Sequence, residues 1–410
     1  MAVHSYPMGF WNYTQTGQLQ PKDVADWENC GMNLVLSPYY DPAVHQKQDL
    51  LDLLDECQKR DIRMIICDIR TLWHGASADE AAYRMRFASA LDDFGNHPAV
   101  FGFHIGDEPR AEDEADCAAA YRIQLEMAPH LTPFLNHFPW HENINMLLNT
   151  TDYEQWLEQF IQKSQTKLLC YDCYSQMNPE EDGIEMYFHN LKVFSEAARA
   201  TGVPLWTTLL SVGHFRYRCP SEDDLRWQIS TAAASGCKGI LWFFFYERTP
   251  YINYRHPPIN EFWEKTSTYY DLSCTVRRFL GQHAQLLSQL TLDRSYHVGK
   301  AYGGYPIFEK GADSLVASLS ASDHAPLMLS VFRDKENREY CCVVNLSQKL
   351  NTFFQLDVRG ETTKAYRYDF GGDTPLVTAQ QDSSYHAGNG VISIGSWLAP
   401  GQMEIYRIEP

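Results

Sequence analysis

Phe101-Gly-Phe-His-Ile-Gly-Asp-Glu-Pro109 is a short apolar run that ends in two acids and a proline. Side chains alternate across a β-strand, so Phe101, Phe103 and Ile105 fall on one face, and Gly102, His104, Gly106 and Glu108 on the other. Pro109 and the acidic Glu112–Asp116 stretch are helix-start signals, which predicts a helix over Ala111–Met127. The segment therefore reads as one strand-to-helix unit. Seven similar β-rich runs flank it, at Pro7–Tyr13, Asn33–Tyr40, Arg63–Arg70, Leu131–Pro139, Lys167–Tyr174, Val203–Ser211 and Gly239–Glu247. Their starts lie roughly 26 to 37 residues apart, the length of one βα unit.

Between these runs the apolar spacing changes to a helical period. Leu50, Leu51, Leu54 and Cys57 make one face, Ala81, Met85, Ala88 and Leu91 a second, and Leu191, Phe194, Ala197 and Ala198 a third. Ser221-Glu-Asp-Asp caps the start of another helix, and Gly236 ends it. Eight such units predict an α/β fold of the (β/α)8 TIM-barrel type over residues 1–290, with Asn260–Leu290 as the closing helix. A doubly wound sheet would carry a Gly-rich first turn, and neither G-x-G-x-x-G nor a P-loop is present. From about Ser295 the texture becomes all-β, with strands at Leu327–Phe332, Tyr340–Leu346, Thr352–Val358, Lys364–Phe370, Val391–Ile394 and Met403–Ile408. Turn chemistry stands at Asp334-Lys-Glu-Asn337 and Gly371-Gly372-Asp373. Residues 295–410 are thus expected to form a small antiparallel β-sandwich.

The chain has 410 residues and a formal net charge of −18, with acids spread along its length. Such a charge repels phosphate backbones and anionic lipid, so nucleic-acid and membrane partners are not expected, whereas a neutral carbohydrate is compatible. No apolar run reaches the roughly 20 residues needed to cross a bilayer. The first residues lack the basic and apolar regions of a signal peptide. The 11 cysteines, an odd number scattered singly, read as free thiols in a cytoplasmic protein. Cys170 and Cys173 form a CxxC, but within a strand their side chains point to opposite faces. No cofactor or metal motif is evident, and no oligomeric state is implied.

In a barrel of this type the chemistry lies at the C-terminal ends of the strands. Glu108 crowns the lumenal row of the fourth strand, next to Asp107. Other strand ends supply Asp68, Asp172 and Glu247; Asp172 shares a face with Cys170 and Tyr174, while parity leaves Glu247 undecided. Trp11, Tyr40, Trp73, Trp140, Tyr174, Trp206, Trp242 and Tyr246 are aromatics near strand ends that either pack the core or offer flat surfaces to sugar rings. His104, Asn136 and His137 are candidate hydrogen-bonding groups for hydroxyls, as is His214 after the seventh strand.

The segment His104-Ile-Gly-Asp-Glu-Pro109 resembles the strand-four Asn-Glu-Pro motif of the retaining glycosidase clan that includes β-galactosidases and cellulases. The resemblance implies that Glu108 is the acid/base. It departs in having Asp107 where that clan has Asn, and in a seventh strand, Leu205-Trp-Thr-Thr-Leu-Leu-Ser211, that ends without the clan's nucleophilic Glu. The segment is also similar to the Gly-Gly-Asp-Glu motif of β-N-acetylhexosaminidases, which implies Asp107 as the residue orienting a participating acetamido group and Glu108 as the acid. Over most of the barrel the chain looks like bacterial glycoside hydrolases with a Gly-Asp-Glu-Pro strand and a C-terminal β-domain. Three readings follow. One is hydrolysis of a glycosidic bond with Glu108 as acid and Asp172, Glu247 or the substrate in the second role. A second is a non-catalytic carbohydrate-binding barrel. The third, a metal-dependent hydrolase, would need a His-x-His pair, which the sequence lacks.

Overall fold

The computed structural model describes residues 6–248, 253–360, 364–376 and 383–409. All eight N-terminal runs contain a strand: β1 (Met8–Phe10), β2 (Leu34–Leu36), β3 (Arg63–Ile66), β4 (Val100–Asp107), β5 (Phe134–Asn136), β6 (Leu169–Asp172), β7 (Leu205–Leu210) and β8 (Gly239–Phe243). Most are shorter than their apolar runs, because the paired backbone ends where each chain turns toward its helix. They form two four-stranded parallel sheets, in the orders β1-β8-β7-β6 and β2-β3-β4-β5. Backbone bonds also link the sheet edges: Asn33 donates to Met8 O at 2.9 Å and His137 to Cys170 O at 2.8 Å.

Helices follow the strands and cover one face of the sheets. The strand residues on that face, Phe103, Ile105, Tyr171 and Trp242 among them, join the helical apolar faces in one large core. The opposite strand face has its own core, in which Trp11, Phe134, Cys170, Tyr174, Trp206 and Phe244 meet. Cys170 and Cys173 accordingly fall in different cores. The helix Glu222–Ala234 opens on the expected Ser221 cap, which the structure completes as a capping box with Asp224. In the helix Glu80–Ala90 the buried face is Tyr83, Phe87 and Ala90, and Met85 is exposed. The larger aromatic rings decide the rotation there, overriding the expected Ala81/Met85 stripe. The closing helix starts at Ser267, not Asn260, and runs through a π turn at Leu280–Ala284 to Gln289.

The C-terminal part contains two antiparallel sheets. One has the order β10-β13-β17-β16 (Val316–Ala321, Thr352–Arg359, Val391–Leu398, Ser383–Gly388). The other has the order β15-β14-β18-β12-β11-β9 (Gly372–Pro375, Lys364–Asp369, Met403–Glu409, Glu339–Asn345, Leu327–Arg333, Thr291–Val298). Apolar side chains between the sheets, including Val316, Leu329, Val343, Phe354, Ile394 and Tyr406, form a separate core. The outer face of the six-stranded sheet packs on the helix Glu222–Ala234. There Trp227 Nε1 donates to Leu346 O at 2.9 Å, and Trp227 atoms lie against Gly401, where a Cβ would come within 2.4 Å.

Candidate active site

The site forms where β4, β5 and β6 end side by side. Asp107 is the register partner of Asn136, and Asp172 is the last residue of β6. Two irregularities in β4 set its geometry. His104 pairs with Phe134 and Gly106 with Leu135, so Ile105 is an extra residue and the strand bulges. Gly106 then has φ +155°, and a Cβ there would lie 2.0 Å from the Trp73 ring, so only glycine fits. Glu108 has φ +49° and donates its N–H to Asn136 O at 2.9 Å. Simple alternation would send Asp107 and Glu108 to opposite faces. The bulge and the left-handed turn instead bring both carboxyls beside Asp172, close enough for both to act on Glu108.

The polar network is compact. Asn136, 2% exposed, donates from Nδ2 to Asp107 Oδ1 at 3.1 Å and to Asp172 Oδ1 at 2.7 Å. The Tyr174 hydroxyl lies near enough to favour the charged form of Asp172. Dehydration, then the charges of Asp172 and Asp107, hold the Glu108 carboxyl well above the usual carboxylate range. Burial likewise raises Asp172, opposed by the Asn136 bond and the nearby Tyr174 hydroxyl. Asp107 is open to solvent along one side but ringed by protein on the others; dehydration and Asp172 push it up to about 7. Arg248 is the cation that opposes this rise at Asp107, its guanidinium 3.9 Å from the Tyr13 ring centre and its Nη1 donating to the Tyr254 hydroxyl at 3.1 Å.

Aromatic rings wall the carboxyls. Tyr174 stacks on Phe243 and meets Tyr217 edge-on, with centroids 5.6 and 5.3 Å apart. Tyr13 meets Phe243 edge-on at 5.8 Å, and His214 lies against Phe243, Tyr217 and Tyr254. Such an arrangement can protonate a leaving group with a carboxylic acid, present a second carboxylate to a cationic centre, and hold a flat apolar ligand face. Among the described residues, no group of three or more His, Cys, Asp or Glu side chains is placed to hold a metal ion.

No protein-family model and no curated protein sequence matches the chain. Solved structures do match it. A family 5 glycoside hydrolase from Bacteroides vulgatus has a TM-score of 0.56 at 12% identity, covering 95% of this chain and 89% of that one. A family 39 glycoside hydrolase from Bacteroides cellulosilyticus has a TM-score of 0.54 at 10% identity, covering 100% and 82%. A β-galactosidase from the psychrophilic Marinomonas ef1 has a TM-score of 0.50 at 11% identity, over 69% of this chain and 62% of that chain. The chain thus spans less than two thirds of the β-galactosidase's length. At these identities what is shared is the fold.

The structure gathers Asp107, Glu108, Asn136, Asp172 and Tyr174 into one site and leaves other candidates outside it. His104 and Trp11 lie beneath the site in the strand-lined core, rings 5.5 Å apart, and burial pushes His104 down to about 4. Trp11 Nε1 donates to Thr208. Trp206 sits at the opposite end of that core, against Phe101 and Gly239. Phe101 therefore belongs to the inner face rather than the helix-facing one, because a register shift between Val100 and Gly102 turns it inward. His137 and Trp242 point the other way, into the helical layer; His137 meets Phe160 at 5.1 Å, and Trp242 Nε1 rests on Met8 Sδ. Tyr40 lies in that layer too, between Phe94 and Arg70. Asp68 is spent on Arg70, bonding its guanidinium at 2.6 Å and its backbone N–H at 2.9 Å. The charged group that acts on Glu247 is Glu261. Tyr13, Tyr217, Phe243, Tyr254 and Arg248 were not singled out in the sequence. The run Phe243-Phe-Phe-Tyr-Glu-Arg248 was the available signal for two of them.

Proposed function

We propose that this protein is a glycoside hydrolase in which Glu108 is the general acid/base and Asp172 the opposing carboxylate. The two parallel sheets, hydrogen-bonded at both edges, are read as one closed (β/α)8 ring over residues 1–290, with residues 295–410 as an appended β-domain. The observation that carries the reading is the Asn136 amide shared by Asp107 and Asp172 beside a dehydrated Glu108. Glycoside hydrolysis needs one carboxyl that keeps its proton and one that has lost it, around an oxocarbenium-like centre. Glu108, raised by burial and two acids, keeps its proton at neutral pH. Asp172, whose charged form the Asn136 bond and the Tyr174 hydroxyl favour, is the better anion. Glu108 gives its proton to the glycosidic oxygen as the C–O bond breaks. Asp172 steadies or captures the anomeric carbon, and water then supplies the hydroxyl while its other proton returns to Glu108. Asp107 keeps Glu108 protonated and takes the position of a group that contacts the substrate. Asp172 at hand makes an enzyme carboxylate a better second partner than a substrate acetamido group. The glycoside hydrolases that share the fold support the same reading. A reducing, cytoplasmic setting fits 11 free cysteines, of which only Cys274 is exposed; no helix among the described residues is long and apolar enough to cross a membrane.

A panel of 4-nitrophenyl glycosides tests this. The parent should hydrolyse at least one, and Glu108→Gln should lose about a thousandfold in kcat/KM. The loss should shrink sharply with a 2,4-dinitrophenyl leaving group, which needs no proton. A parent inactive on every glycoside, or a Glu108→Gln variant with unchanged activity, overturns the proposal and favours a carbohydrate-binding protein.

A further inference from the structure

A cavity of about 730 Å³ is lined by Trp140, Met177, Met186, His189 and Arg216, from loops that follow β5, β6 and β7, and by Gly303 and Gly304 on one side. Its size lies within the range of small-ligand sites. The loops that build it leave the same strand ends as the carboxyls. Trp140 follows β5, and Met177 follows β6. Arg216 follows β7, next to Tyr217, whose hydroxyl feels the charges of Asp172 and Glu108. Met177 and Tyr217 are bridged as antiparallel partners, which joins the cavity lining to the aromatic wall around the carboxyls.

The cavity is a fixed feature of the fold. Fully buried Asn190 grips the Trp140 backbone from both sides, accepting from its N–H at 2.6 Å and donating to its C=O at 3.1 Å. The same amide reaches Cys173 Sγ, the neighbour of Asp172, at 3.6 Å. The Trp140 ring is half-buried and stands edge-on to His189, centroids 4.3 Å apart. On the far wall the Gly303 N–H donates to Glu185 at 2.7 Å, and a Cβ on Gly303 would lie 2.1 Å from the His189 backbone nitrogen. The C-terminal part therefore docks against the helix Ile184–Thr201 and completes the cavity.

We propose that this cavity is a second sugar-binding subsite, which takes a neutral pyranose unit of an oligosaccharide on the Trp140 ring while the scissile bond lies at Glu108. Its placement relative to the scissile bond rests on the function proposed above; its capacity to bind sugar does not. An indole face, two thioethers and a rim of hydrogen-bonding groups suit a ring with apolar C–H faces and polar edges. The acids Glu142, Asp182 and Glu185 line it, and its one arginine, Arg216, is already paired with Glu181 at 2.9 Å, so uronic and sulfated sugars are disfavoured. Substrates that carry at least one further sugar unit are thereby favoured over glycosides of a single sugar.

The test is titration calorimetry of the full chain carrying Glu108→Gln against cello-, xylo-, manno-, galacto- and chito-oligosaccharides. At least one series should bind. Adding Trp140→Ala should weaken that ligand at least tenfold, and Trp140→Phe should recover much of the loss. No binding by any series, or equal affinity with and without Trp140, overturns the proposal. Trp140-dependent binding by a parent that hydrolyses nothing would leave the subsite standing and remove only the hydrolase reading.

Discussion

Asp107 and Asp172 accept hydrogen bonds from the same nitrogen, Nδ2 of Asn136, at 3.1 and 2.7 Å. Their bonded oxygens are thus separated by no more than those two lengths combined. Each bond favours the charged carboxylate and lowers its pKa against burial. Asn136→Ala removes both bonds, so both pKa values rise. The acidic limb of the kcat/KM profile should move up by about one pH unit, roughly a tenfold loss at a pH on that limb. A limb that stays in place would mean that neither carboxylate has to be ionised for the reaction.

Asp107→Asn moves the other limb. Glu108 must hold its proton to act, so activity falls as pH rises through its raised pKa. Asp107 is one of the two charges that raise it. With a neutral amide at 107 the Glu108 pKa drops, and the alkaline limb should shift to lower pH while activity on the acidic side is kept. The variant also restores the Asn-Glu-Pro pattern of the clan that the sequence resembles. A shift in the opposite direction, or none, would disconnect Asp107 from the acid.

The strand positions were legible because apolar runs and βα spacing survive at the level of single residues. The details that make the site were not, because each is a departure from regular repetition. A period of two assigns Phe101 to the helix side and separates Asp107 from Glu108. Bulges at Phe101 and Ile105 and the left-handed turn at Glu108 reverse both outcomes. Parity had more to offer at Asn136 and His137, neighbours on one strand that cannot share a face, and only Asn136 enters the site. Tyr217 and Arg248 come from loops, where no period applies. In the C-terminal sheets, Ser383–Gly388 is a polar strand whose edge position leaves its described side chains largely exposed, so it carries no apolar signal. Thr291–Val298 alternates around Asp293 and Arg294, which pair with each other, and so resembles a loop.

Asp68 tests whether a strand-end acid can be purely structural. Its side chain is buried and bonded to Arg70, which also pairs with Asp93. Asp68→Ala leaves the inward part of that guanidinium without its anion. Breaking a buried pair by removing one partner costs about 3 kcal/mol, read as a drop in the urea midpoint. The pH limbs of kcat/KM should stay where they are. Shifted limbs with normal stability would return Asp68 to the active site.

His137 is fully buried against Phe160, and among the described residues neither ring nitrogen has a hydrogen-bond partner. Burial pushes its pKa down to about 3. The unfolded chain takes up this proton near pH 6.5, whereas the folded protein refuses it until about pH 3. The neutral ring's contribution is therefore fully present above 6.5 and is lost as pH falls toward 3, at about 1.4 kcal/mol per unit. His137→Phe places an apolar ring of similar shape in the same space and removes the proton-binding group. The variant should match or exceed the parent at pH 7, and at pH 4.5 exceed it by a further margin of up to about 2.7 kcal/mol in urea unfolding. Its kcat/KM should be unchanged, since the ring faces away from Glu108. Equal acid sensitivity in the two proteins would show that His137 carries its proton in the folded state, and lost activity would show that it reaches the substrate after all.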